Sequence, residues 1–354
     1  MAWAKVEKNP EQMIYGIKRE VNSTTPLWTR TLKAVGLTAT ASVGTTSGKS
    51  DFDAIYPWSE MKRVTLATND VMVYIPLFYY RRYITNDTEY IEISKRKYRG
   101  FAVHPGSNCY IGAYEASNTN QSKSGVTPTV NIGIAAQRNS VMSKGSGWSL
   151  LDIASWSALQ MLYLVEYANS NSQVTIGRGY CDKAFSGTSL LTTGSCNSVP
   201  NLTGRPAGTD GTTGVIYRGI ENPWGNIWEC VDGIQYQSGN CYICTDYTKY
   251  KHDNTDDYTK INYTISTSFS NQYISKMGLD ENYPWLFMPT EANGTETTGY
   301  CDKVWCGNNT NFKVLYNSGC WYMGSGSGIF LTNFNSTSAT KYVENGSRIM
   351  YREV

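Results

Sequence analysis

Two stretches early in the chain carry strand-like patterning. Residues 70–82, DVMVYIPLFYYRR, and 88–98, TEYIEISKRKY, are rich in β-branched and aromatic residues that suit a pleated, half-buried surface. They predict neighbouring strands with the polar YITND between them. Pro76 has no amide hydrogen for a ladder, which places the first strand at a sheet edge or a bulge. A different period follows. In GWSLLDIASWSALQMLYLVEYANSNSQ, Leu151, Ala154, Ala158, Leu162 and Val165 recur at helical spacing. Ser149 is the expected N-cap with Asp152 as its capping partner, and Asn169 and Ser170 end the helix. Apolar residues cover much of its circumference, so it is expected to be buried and to hold a sheet.

Outside these elements the pattern weakens. Residues 1–50 are polar and mixed, ending in TATASVGTTSGKS, and predict an attachment segment followed by a Ser/Thr/Gly linker. Beyond residue 175 glycine-rich turns dominate, with Trp224 and Trp228 in NPWGNIWECVDG. The polar, Tyr-rich span 236–298 reads as an insertion or long loops. GYCDK occurs at 179–183 and again at 299–303, too few copies for a repeat architecture.

Composition narrows the functions open to such a chain. Only 17% of residues are charged, yet 13% are aromatic, with 27 Tyr and 10 Trp. Tyr, Ser, Gly and Asn together are the composition of recognition loops, where rigid rings and adaptable hydrogen bonds coexist. The net charge of +2 and the single short run KRKYR argue against nucleic acid as a partner. The longest apolar run, 71–80, is too short to span a bilayer, and the charged start of the chain is unlike a cleaved leader. The nine Cys are expected to be free, partly buried thiols, since the lone CxxC at 241–244 has no second ligand pair. His104 and His252 have no nucleophile motif nearby, and GxSxG is absent. The stretch WYMGSGSGIFLTNFNSTSAT, 321–340, has no Lys and no helical pattern after it, so it is not a phosphate loop. Its aromatics are too apolar for a linker.

Several motifs in order resemble phage and prophage tail-associated proteins with a C-type-lectin-like fold of the formylglycine-generating-enzyme type. They are STTPLWTRT with SDFDAIYPWSEMKRV, VYIPLFYYRR, GFAVHPG, YIGAYEAS, the helix with VTIGRGY, YRGIENPWGNIWECVDG, and the final NSGCWYMGSGSGIFLTNF through SRIMYREV. The last resembles a G-G-x-W turn with Ser318 in place of the first glycine. The C-terminal segment is most similar to the variable proteins of diversity-generating retroelements. The resemblance implies an α+β, C-type-lectin-like fold over 51–354, with loop-rich mixed sheets, one long buried helix, an insertion at 236–298 and a variable region at about 300–345.

It also implies a non-catalytic receptor-binding protein of the virion tail, made in the bacterial cytoplasm; the alternatives are a copper oxidase of the formylglycine-generating type and a purely structural tail component. The partner would be a bacterial surface protein or glycan, with other tail proteins and a homo-oligomer, perhaps a trimer, and no membrane insertion. Trp321 and Phe330 are expected in the core. Tyr316, Asn317, Cys320, Tyr322, Ser325 and Thr332 are expected to be exposed for binding, with Tyr300, Trp305, Asn308, Asn309 and Asn311 beside them. In the wider superfamily the G-N-x-W-E loop can ligate calcium, which here implies Gly225, Ile227 and Glu229. The preferred role of Glu229 is a buried carboxylate holding that loop by hydrogen bonds, and no other cofactor is expected. Copper oxidase chemistry needs a Cys pair that Cys301, Cys306 and Cys320 do not match.

Overall fold

A computed structural model describes residues 13–118, 120–307 and 310–354 of the chain. The architecture is mostly β-sheet with few helices. The helix Ile153–Tyr167 lies at its centre, and all 15 of its residues are buried. Leu159, Met161, Leu162, Leu164 and Val165 are wholly enclosed, and each such side chain contributes roughly 1.5–3 kcal/mol by leaving water. Asp152 is the N-cap, accepting from the Ser155 amide at 2.8 Å. Ser149 instead pairs within the strand Trp148–Leu150. Ala168, in the left-handed conformation, ends the helix one residue before the expected stop.

The helix's polar groups are spent on tying sheets together. Glu166 pairs with Arg218 and accepts from Tyr217 Oη at 3.0 Å and Ser50 Oγ at 2.8 Å. Gln160 Nε2 donates to the Ile329 carbonyl at 2.9 Å. With the Asn317 amide oriented to satisfy its neighbours, Trp156 Nε1 donates to its Oδ1 at 3.2 Å. The last two contacts fix the C-terminal segment against the helix.

The two stretches with strand patterning form three strands. Tyr79–Thr85 and Thr88–Ser94 make a hairpin whose turn residues, Asn86 and Asp87, both have positive φ, as a tight two-residue turn requires. Val71–Ile75 belongs to a different sheet, between Cys109–Gly112 and Arg63–Thr65. Pro76 therefore lies at neither an edge nor a bulge; it follows the strand, where the chain crosses from one sheet to the other.

The described part of the first 50 residues is not a tether. Ile14–Glu20 pairs along its whole length with Thr88–Ser94, and Ile17 and Trp28 are core residues. The span 236–298 likewise supplies strands, Asn240–Ile243, Thr259–Thr264 and Ser268–Tyr273, to an eight-stranded sheet. Its two edge strands, Thr259–Thr264 and Ser268–Tyr273, are joined by residues 265–267 alone. Strands so closely connected at opposite ends of one sheet require it to curl back on itself. One face carries the main core with the helix; the other carries a second cluster that includes Trp228, Tyr316 and Trp321. The final strand, Ile349–Tyr351, pairs with Cys109–Gly112 and Trp148–Leu150. No helix among the described residues is long and apolar enough to cross a membrane.

Candidate binding surface

The C-terminal segment folds as two strands around a loop. Lys313–Ser318 runs up, residues 319–327 turn, and Gly328–Asn333 returns antiparallel to it and parallel to Lys303–Gly307. Ser318 and Gly319 both have positive φ, at 73° and 80°. The turn thus demands a conformation that glycine enters at little cost and serine does not.

The loop is held from below by the GNIW segment. Gly225 donates to the Ser318 carbonyl at 3.0 Å, and Trp321 donates to the Asn226 carbonyl at 3.1 Å. Gly225 has φ 80°, and a Cβ there would lie 2.8 Å from the Tyr180 backbone nitrogen. Asn226 gathers four segments. Its amide donates to the Tyr180 carbonyl at 2.8 Å, its Oδ1 accepts from the Leu191 amide at 2.8 Å, and its Nδ2 donates to both Glu115 oxygens at 2.9 Å. Burial pushes the Glu115 carboxyl well above the usual carboxylate range. The two GYCDK copies buttress opposite sides of the loop. Lys183 donates to the Trp321 carbonyl at 2.7 Å and Cys181 accepts from Gly324 at 2.8 Å, while Asp302 accepts from the Phe330 amide at 2.7 Å.

Trp321 and Phe330 are fully buried, as the sequence suggests. Of the residues expected to be exposed, Tyr316, Asn317, Cys320 and Thr332 are buried instead, and so is Tyr300. For Tyr316, Asn317 and Thr332 the reason is that this sheet is covered on both faces, so strand alternation exposes neither set; Cys320, in the loop, packs into the cluster with Trp228 and Trp321. Asn317 serves Trp156 and the Glu229 carbonyl; Thr332 Oγ1 donates to the Phe330 carbonyl at 3.2 Å. Tyr300 stacks edge-on against Phe330 at 5.0 Å, with the Arg19 guanidinium over its ring at 4.5 Å. Tyr322, Ser325 and Trp305 are half-buried and Asn311 is exposed; Asn308 and Asn309 lie outside the described residues.

The half-buried aromatics are backed by fixed ones. Trp305 packs edge-on against Trp228 at 6.0 Å, and Tyr322 against Trp321 at 5.4 Å. Tyr322 Oη donates to Glu344 Oε1 at 2.7 Å, and its other flank meets Phe185 at 4.8 Å. Phe185 is 71% exposed. No helix or strand pattern surrounds it in KAFSGTSL, so the sequence does not single it out. Further along the same loop, Ser325 Oγ and Tyr273 Oη share a hydrogen bond of 2.7 Å, and Lys303 Nζ sits 5.0 Å above the Tyr273 ring.

Gly225, Ile227 and Glu229 do not fit a calcium site. Both Glu229 oxygens are taken by Arg348, through Nε at 3.0 Å and through Nη2, and both side chains are fully buried. Arg348 also donates to the Gly112 and Glu221 carbonyls, at 2.9 Å and 2.7 Å. A cation at Glu229 would face this guanidinium. Among the described residues no His, Cys, Asp and Glu group has the placement to hold a metal. All nine cysteines are free and buried.

No protein-family model and no curated protein matches the chain. Among solved structures it is similar to one titled Major Tropism Determinant U1 Variant, at 10% identity and a TM-score of 0.35 over 98% of this chain and 73% of that one. A likeness that loose identifies neither a fold family nor a function.

Proposed function

We propose that the chain is a non-catalytic receptor-binding protein with a C-type-lectin-like fold, belonging to the tail of a phage or prophage. It would recognise a bacterial surface molecule through Trp305, Tyr322 and Phe185. The observation that carries this reading is the pairing of the two half-buried rings with buried ones. Trp305 rests on Trp228 and Tyr322 on Trp321, so affinity can be gained without the entropy cost of ordering flexible side chains. The ordered motifs of the sequence support the same reading, and a trimer with other tail proteins belongs to it.

The thiols favour binding over oxidase chemistry. Burial pushes Cys301 and Cys320 up to about 12, and Cys306 well above its ordinary value. A thiol raised in this way is a poor nucleophile. Retention of the labelled chain on a panel of bacterial strains tests the proposal. Phe185→Ala combined with Trp305→Ala should weaken retention by at least about tenfold, the loss of one or two interface anchors, with the melting temperature little changed. Equal retention of a folded variant overturns the site.

A further inference from the structure

The geometry points to a second site, a saccharide-binding cleft between the 321–327 loop, the short helix Ser172–Thr175 and the 295–298 turn. The cleft has a volume of about 350 Å³ and is lined by Gln173, Val174, Arg178, Asp210, Glu296 and Ser325, among others. That volume is within the range of small-molecule sites, roughly 300–1,000 Å³.

The walls are tied to one another. Gln173 Nε2 donates to the Gly324 carbonyl at 3.1 Å and the Arg178 carbonyl at 2.9 Å. Asn171 Nδ2 donates to the Glu296 carbonyl at 3.1 Å, and the Arg178 amide donates to Asp210 Oδ1 at 2.8 Å. Ser325 is held by Tyr273. Segments far apart in sequence are thus locked into one concave shape before any ligand arrives, as binding sites usually are.

The lining selects the ligand class by exclusion and by fit. Arg178 is paired with Asp182, and Arg205 lies 3.5 Å from Asp210. Arg178 is the one cation among the named lining residues, and its pairing leaves little to hold a phosphate or another anion; Lys303, beyond the lining, is turned to Asn271 and the Tyr273 ring. Val174, 75% exposed, is the one apolar wall, too little to bury a fatty or aromatic molecule. What the cleft offers is a mixture of acceptors, Glu296 and Asp210, and donors, Arg178 and Ser325. Glu296 is in no ion pair among the described residues. A sugar matches this, because each hydroxyl both donates and accepts and its C–H face can lie on Val174. An amine would use the carboxylates and leave the donors unanswered. The cleft shares no side chain with the Trp305–Tyr322–Phe185 surface, so it stands whether or not that surface engages a cell.

Saturation-transfer NMR on the full chain tests it, with glucose, galactose, rhamnose and N-acetylglucosamine as probes and choline and inorganic phosphate as controls. At least one sugar should receive saturation. Val174→Trp, which fills the cleft from an exposed position, should weaken that sugar at least about tenfold with unchanged melting temperature. Glu296→Gln, also exposed, should weaken it too and decides the matter if the tryptophan variant does not fold. Phe185→Ala should bind the sugar as wild type does. Saturation of no sugar, of choline or phosphate alone, or an undiminished signal in the folded cleft variants overturns the proposal.

Discussion

His104 shows how one buried side chain sets the response of this protein to acid. Its ring stacks on Phe78 at 5.0 Å, lies 4.9 Å from Tyr80, and is 1% exposed. Nδ1 accepts from the Gly106 amide at 3.1 Å, so the neutral ring carries its proton on Nε2. Burial lowers its pKa from 6.5 to about 3. The unfolded chain therefore binds a proton below about pH 6.5 that the folded chain refuses, and stability is lost as pH falls through that window. The loss should reach about 2 kcal/mol near pH 5. Glu115, Glu221 and Glu229 act with the opposite sign, since burial raises each of them, and their stabilising effect fades as pH rises. Comparison with His104→Gln cancels that background. Wild type should lose more melting temperature than the variant between about pH 7 and pH 5; an equal loss would show that His104 is not held neutral. In the sequence His104 was legible only as a structural or surface histidine, because no nucleophile motif stood near it.

At the scale of elements, legibility followed the strength of the periodic signal. The central helix was readable because fifteen buried residues leave a long apolar record; its N-cap moved from Ser149 to Asp152, since Trp148–Leu150 was drawn into a strand, and its end moved by one residue. The C-terminal segment was less legible. In Lys313–Ser318 all six residues are buried, and polar ones such as Asn317 are satisfied internally, so their polarity gave a false sign of exposure. The strands of 14–32 were missed because IYGIKRE is short and glycine-interrupted, and its burial depends on a partner strand seventy residues away. The GNIW element makes the most specific prediction. Asn226 links Tyr180, Leu191, Glu115 and Trp321. Asn226→Ala would leave buried polar groups unpaired, at about 1–3 kcal/mol each, and place alanine at φ 64°. Chemical denaturation should show a loss of about 2–5 kcal/mol, and amide exchange in 319–327 should quicken. A loss under about 0.5 kcal/mol would mean the loop is anchored elsewhere.

The whole molecule has the economy of a scaffold. A curled sheet is sealed on one face by the helix and on the other by aromatic residues, and several of the charges buried inside are paired, as Arg348 with Glu229, Arg82 with Glu89 and Arg138 with Asp232. What remains for function is the loop side, where aromatic rings rest on fixed neighbours and a polar cleft opens beside them. The central claim is that the ring surface meets the target. Photo-crosslinking tests it most directly, with p-benzoylphenylalanine placed at Phe185, or as a control at Ile84, which is exposed on the hairpin of another sheet. On cells that retain the wild-type chain, the Phe185 position should give a covalent adduct with a surface molecule and the Ile84 position none. Adducts from Ile84 alone, or from both positions equally, would contradict the assignment of this surface.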